Sequence, residues 1–175
     1  MGYSISIKQG DMFQKQDVTF MVNASNNLLI LGSRVSRAFR LNCGISLQTQ
    51  MFQARIQHKN LYQGDVVKTS CAKAKNCLYA LHGVVIDGKN VVELQHIEQI
   101  LYNIEKEVQN YIKNNLLEKV KVVVALLGCG VGGLNVDDVV SLYKNFFSRR
   151  VTFECEVVVY GYRTKEYNLL LKSFV

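Results

Sequence analysis

The sequence predicts an α/β fold, a mostly parallel sheet of about six strands covered by helices on both faces. Short apolar or alternating runs recur between longer segments of helical period, the pattern of strand–helix units that build a parallel sheet. Two of those runs, Val18-Thr19-Phe20-Met21-Val22 and Val120 to Leu127, are almost continuously apolar, as strands buried on both faces are. The chain of 175 residues has no repeat, low-complexity tract or linker-like stretch, so its length is read as one domain spanning 1–175.

The elements follow in order. Tyr3 to Lys8 alternates apolar with small or polar residues and closes at Gly10-Asp11, a first strand. Met1-Gly2-Tyr3-Ser4-Ile5-Ser6 also matches the N-myristoylation pattern formally, but the alternation of Tyr3, Ile5 and Ile7 fits the strand better, and the start does not read as a signal peptide. Val18 to Val22 is the second strand, followed by polar Asn23, Ser25, Asn26 and Asn27. Gly32 to Arg40 reads as a basic helix stopped near Gly44, and Ser46 to Gln57 as a second short helix. Asp65 to Thr69 and Cys77 to Leu81 read as strands. Glu93 to Lys113 is the clearest helix, because Leu94, Ile97, Leu101, Ile104, Val108 and Ile112 recur in steps of three or four and make one stripe. Val120 to Leu127 runs into Gly128-Cys129-Gly130-Val131-Gly132-Gly133 and a helix from Val136 to Phe147, with Asn135 and Asp138 as a capped start. Cys155 to Tyr160 is the last strand and Lys165 to Phe174 the last helix.

Composition excludes some classes. Hydrophobic residues are 49% and charged residues 20%, ordinary for a soluble globular protein, and no apolar run reaches the roughly 18 to 20 residues that span a bilayer. With 21 Lys and Arg against 14 Asp and Glu the formal net charge is +7, a field that favours nucleic acid or a nucleotide diphosphate without choosing between them. The five cysteines (Cys43, Cys71, Cys77, Cys129, Cys155) are odd in number and lack CxxC spacing, so free buried or half-buried thiols in a reducing, cytoplasmic setting are expected. His58, His82 and His96 show no ligand spacing, and neither a metal nor a cofactor is expected; His82, ending a strand, reads as a satisfied core residue.

In sheets of this kind ligands bind beyond the C-terminal ends of the strands. Four glycines in the six positions Gly128 to Gly133 let a backbone turn tightly and bring its N–H groups to an anion at a helix N-terminus. The pattern is neither a P-loop nor GxGxxG, and a packing turn also fits it. The second joint, from Val22 to Val35, places asparagine amides after a buried strand, where they can hold ribose hydroxyls or merely form turns.

Val22-Asn23-Ala24-Ser25-Asn26, followed by Leu29, Gly32, Val35 and Ala38, resembles the macro-domain signature Val-Asn-Ala-Ala-Asn, glycine run, Val and Ala, without a gap from Val22 to Gly44. Gly64-Asp65-Val66-Val67, Cys77 to His82, Leu126 to Gly133 and Val158-Val159-Tyr160 are similar to later segments of the family in the right order, particularly its coronavirus-type and torovirus-type members. The resemblance implies a three-layer α/β/α sandwich with a central mixed, mostly parallel sheet of about six strands. It implies ADP-ribose, or mono-ADP-ribosylated proteins, as partners of a monomer, in the host cytoplasm if the chain is viral. Asp11 would accept from the adenine amino group, Met12 would add a backbone contact, and Tyr160 would stack on adenine. Asn26 would hold the distal ribose as the catalytic residue. Ala24 and Gly32-Ser33-Arg34-Val35 on one side, and Gly128-Cys129-Gly130-Val131-Gly132 on the other, would clamp the diphosphate.

Three departures bear on activity. Leu31-Gly32-Ser33-Arg34 interrupts the glycine run, so Ser33 and Arg34 would either narrow the distal site or contact phosphate. Ser36 stands where cellular hydrolases of the family carry an aspartate, and Gly132 replaces an aromatic residue of viral-type members. The resemblance implies removal of mono-ADP-ribose from proteins by hydrolysis at the distal ribose, with ADP-ribose-1''-phosphate phosphatase as a side activity. Alternatives are a non-catalytic reader, or an RNA-binding domain of a viral polyprotein using Arg34, Arg37, Arg40, Arg55, Lys59, Lys68, Lys73 and Lys75.

Overall fold

The computed structural model describes residues 1–14, 17–116 and 119–175. Six strands, β1 (Gly2–Gln9), β2 (Val18–Asn26), β3 (Val66–Ser70), β4 (Cys77–Ile86), β5 (Lys119–Ala125) and β6 (Glu154–Gly161), form one sheet in the order β1-β6-β5-β2-β4-β3. Neighbours run parallel except β3 with β4. Helices α1 (Val35–Cys43) and α2 (Ile45–Gln57) cover one face, while α3 (Leu94–Asn115), α4 (Val136–Phe147) and α5 (Thr164–Phe174) cover the other. The result is a three-layer α/β/α sandwich with a mixed, mostly parallel sheet.

The continuous apolar runs follow from this layering. In β2, Phe20 and Val22 enter the layer under α3, α4 and α5, while Met21 packs with Phe39, Cys43, Leu47 and Met51 under α1 and α2. Each such side chain contributes about 1.5–3 kcal/mol when fully buried. The α3 stripe buries Ile97, Leu101, Ile104 and Val108 together with Ile100. That helix starts on a reciprocal cap between Glu93 and His96 and ends on Leu116 in a left-handed conformation.

Two strands run further than sequence patterning indicates. β2 continues through Asn23 to Asn26 and β4 through His82 and Gly83 to Ile86. Their polar residues are satisfied by each other: Asn23 Nδ2 lies 3.0 Å from His82 Nδ1, and His82 Nε2 lies 2.9 Å from Thr69 Oγ1. Gly83 admits Ile100, whose Cγ2 would stand 2.8 Å from a Cβ there. Conversely, α1 begins at Val35 rather than Gly32, because Arg34 takes φ 54°, ψ −121° and cannot be helical.

The cysteine expectation is corrected in part. Cys71 and Cys77 are joined by a disulfide, because the antiparallel β3–β4 hairpin brings their Cα atoms to 5.7 Å, a normal bridging distance. Cys43, Cys129 and Cys155 are free, the first and last of them buried. Among the described residues no helix is long and apolar enough to cross a membrane.

Candidate functional site

β2 and β5 are neighbours, and the connections after them leave toward opposite faces: β2 into α1 and α2, β5 into α4. A crevice is expected where adjacent strands diverge in this way. Here β2 pairs with β5 at Phe20–Val122 and Met21–Val123, while from Val22 onward its register is with β4. The loops Asn27–Arg34 and Leu126–Asn135 rise from the two sides of that opening.

Side chains hold the first loop. Asn26 Oδ1 accepts from the Leu28 and Ile30 amides (3.1 and 3.2 Å), and its Nδ2 donates to the Ile30 carbonyl at 3.0 Å. Gln48 of α2 braces the next turn, donating to the Leu29 carbonyl (2.7 Å) and accepting from the Leu31 amide (2.8 Å) across Leu29, which has φ 52°. Arg40 of α1 donates to the Gly32 carbonyl at 3.0 Å. The amides of Gly32, Ser33 and Arg34 have no hydrogen-bond acceptor among the described residues, and no side chain caps α1.

Backbone and glycine hold the second loop. Gly128 sits at φ 79° and Gly133 at φ 70°, with Leu134 N donating to Gly128 O (3.0 Å) and Gly133 N to Gly130 O (3.1 Å). A Cβ on Gly132 would stand 2.7 Å from Gly128 O, so only glycine lets the loop fold onto itself there. Tyr143 of α4 fastens the loop's start, donating to Ala125 O (2.7 Å) and accepting from Leu127 N (3.1 Å). Asn135 caps α4 by accepting from the Asp137 and Asp138 amides, as its position in the sequence indicates. The amides of Cys129, Gly130, Val131 and Gly132 find no acceptor among the described residues. Two sets of unpaired N–H groups therefore flank one crevice, each close to the positive end of a helix.

Arg34 connects the loops. Its Nη1, Cδ and Cζ lie 3.1, 3.2 and 3.5 Å from where a Cβ on Gly130 would be, so the guanidinium rests on that glycine.

The chain matches the Macro domain family over residues 22–143, a span that contains both loops and the strands beneath them. It belongs to the macro domain family. No curated protein matches it. Its structure is similar to an Oceanobacillus iheyensis macrodomain mutant with ADPR, at TM-score 0.72 and 18% identity, covering 97% of this chain and 90% of that one. The macrodomain of Mycobacterium tuberculosis DarG aligns at TM-score 0.74 and 18% identity, over 93% of this chain and 100% of that chain. A Trypanosoma brucei macrodomain in complex with ADP-ribose aligns at TM-score 0.72 and 17% identity, over 96% and 68% respectively. These solved relatives are bacterial and trypanosomal.

Within this macro domain the candidate residues do not all face the crevice. Ala24, Gly32, Ser33, Arg34 and Val35 belong to the first side, and Gly128, Cys129, Gly130, Val131 and Gly132 to the second. Ser36 is 6% exposed and turned inward, its Oγ 2.9 Å from Asn23 Oδ1 and 3.0 Å from the Ala24 carbonyl. It thereby ends a buried polar chain, Ser36–Asn23–His82–Thr69, closed by Thr69 donating to Ser70 O. A neutral His82 with its proton on Nε2 satisfies every link, and complete burial lowers its pKa to about 3. After β1, Asp11 Oδ1 accepts from Phe13 N at 2.9 Å, an Asx turn. Met12 and Tyr160 are 5% and 3% exposed and pack in the layer under α1 and α2, so the Tyr160 ring is not an open stacking face.

No base stands ready in the crevice. Burial and, to a lesser degree, Glu166 push the Cys129 thiol up to about 12, so it is not a thiolate at neutral pH. Among the described residues no His, Cys, Asp and Glu cluster could hold a metal ion. The basic surface is partly committed: Lys68 pairs with Glu107 at 2.7 Å and Arg55 donates to the Asn27 carbonyl at 3.0 Å. Gln48 and Tyr143 are not singled out by the sequence, and Arg40 reads there only as part of the basic RNA-binding set rather than as a brace of the first loop. Their signal lies in their contacts, since each sits in an ordinary helical position.

Proposed function

We propose that this macro domain binds ADP-ribose, free or carried on a mono-ADP-ribosylated protein, in the crevice between the β2 and β5 loops. One observation carries this: two loops with unpaired backbone N–H groups face each other at the switch point of the sheet. A diphosphate fits such a pair because each phosphate can accept from one loop while the two helix ends add favourable potential. Adenine would lie toward Asp11 and the ribose toward Asn26. The ADP-ribose-bound relatives support the ligand, and a viral origin is supported only by the resemblance of the whole-chain motif order to coronavirus-type and torovirus-type members.

Reading modified proteins is favoured over hydrolysing them, for three structural reasons. Ser36 points into the core, Cys129 stays protonated, and the Asn26 amide already serves its own loop. Turnover would rest on orientation alone, the loops bending the diphosphate so that a phosphate oxygen takes the proton of an attacking water. Such positioning is sensitive, since a displacement of about 1 Å costs on the order of a hundredfold. Incubation with a protein mono-ADP-ribosylated on acidic side chains decides between the two. Retained label with measurable ADP-ribose affinity is the expected result, and release of ADP-ribose with turnover would establish the hydrolase instead. An RNA-binding role keeps Arg37, Lys59, Lys73 and Lys75 as its support; RNA affinity that falls steeply with salt and is untouched by ADP-ribose would favour it.

A further inference from the structure

We propose that Arg34 sets the ligand selectivity of the crevice, holding a cation between the two loops for a bound diphosphate. The inference rests on the ADP-ribose reading above and names the part of that ligand the site weighs most. It starts from the backbone. Arg34 sits at φ 54°, ψ −121°, a conformation at ease for glycine and strained for any L side chain. The first loop thus keeps a glycine-type turn while carrying a long cationic side chain in it.

The side chain has a definite place. Its Nη1, Cδ and Cζ lie 3.1, 3.2 and 3.5 Å from where a Cβ on Gly130 would stand, so the arginine of one loop packs closely on a glycine of the other. No carboxylate pairs with Arg34 among the described residues, whereas Arg149, Lys68, Lys119 and Lys121 all have acidic partners. Arg40, one helical stretch away, is tied to the Gly32 carbonyl. What remains is an uncompensated planar fork of N–H donors packed on Gly130, within the two loops whose amides at Gly32, Ser33, Cys129 and Val131 have no acceptor among the described residues. Such a fork matches two phosphate oxygens at once, which an ammonium cannot do. The distal ribose, by contrast, meets Asn26, whose amide is engaged within its own loop. Affinity is therefore concentrated on the diphosphate, and ADP is bound about as well as ADP-ribose.

The test is calorimetric titration of the native protein, Arg34→Gly and Arg34→Lys with ADP-ribose, ADP and AMP, at low and high salt. Arg34→Gly is expected to weaken ADP-ribose and ADP by about tenfold or more and AMP by less, with a shallower salt dependence. Arg34→Lys recovers only part of that affinity. The melting temperature of Arg34→Gly does not fall, since glycine suits this backbone, which separates lost selectivity from lost structure. Equal or tighter binding of ADP-ribose by Arg34→Gly overturns the proposal, because the side chain would then be inert or an obstruction. If the native protein binds none of the three ligands, the ADP-ribose reading fails and takes this inference with it.

Discussion

The two loops that flank the crevice reach the same end by different means. The loop after β2 is held by side chains, with Asn26, Gln48 and Arg40 each bonded to its backbone. The loop after β5 is held by its own backbone and by glycine, with Tyr143 fastening only its start. A loop built on side-chain bonds tolerates changes in its own small residues and fails when a distant brace is removed. A loop built on glycine contact fails when one methyl group is added.

The largest effect should come from Gly132→Ala. Its Cβ would meet Gly128 O at 2.7 Å and Gly128 Cα at 3.1 Å, backbone atoms that cannot rotate aside. ADP-ribose affinity should fall by about a hundredfold, with a stability loss of about 1–3 kcal/mol in denaturant melts, as overpacking typically costs. Unchanged binding would mean that the second loop does not touch the ligand.

Asn26→Ala should be next, at about 1–3 kcal/mol for the hydrogen bonds that lose their partner. Gln48→Ala sharpens this result. If Asn26 acts by shaping the loop, Gln48→Ala weakens ADP-ribose binding to a similar degree although it lies on α2. If Asn26 instead holds the ribose directly, only Asn26→Ala weakens ADP-ribose selectively over ADP.

These braces also show which parts of the molecule were legible in the sequence. Helix α4 and its Asn135 cap are local signals and stand where the sequence indicates. The glycine loop is local too, and its backbone geometry follows from its composition. The extension of β2 to Asn26 and of β4 to Ile86 was not legible, although His82 reads as a satisfied core residue, because its partners Asn23 and Thr69 lie 59 and 13 residues away. Asn26 is a candidate by resemblance, yet its three bonds within the loop appear only in the folded chain. Gln48 reaches the first loop over 17 and 19 residues, a contact that no periodicity encodes.

Acid should act on the first side more than the second. His82 backs β2 through Asn23, and burial lowers its pKa from 6.5 to about 3. The unfolded chain takes up a proton below pH 6.5 that the folded chain refuses until about pH 3. The contribution of His82 is therefore complete above pH 6.5 and is lost as pH falls toward 3, by at most about 1.4 kcal/mol per pH unit. Chemical denaturation between pH 7 and pH 5 should show that slope, and His82→Gln should flatten it; an equal slope in the variant would assign the effect elsewhere.

The smallest change is expected from Gly32→Ala. Nothing lies within 4 Å of a Cβ at this position, and its φ is not positive, so stability should move by less than about 0.5 kcal/mol. A large loss would show that the first loop also depends on glycine geometry.

The account is tested most directly by amide NMR of the uniformly 15N-labelled protein titrated with ADP-ribose. Two loops donating to one diphosphate predict that the amides of Gly32, Ser33 and Arg34 shift together with those of Cys129, Gly130, Val131 and Gly132, along a single saturation curve. Shifts confined to one loop, or spread over the basic surface around Lys59, Lys73 and Lys75 while both loops stay unmoved, would contradict it.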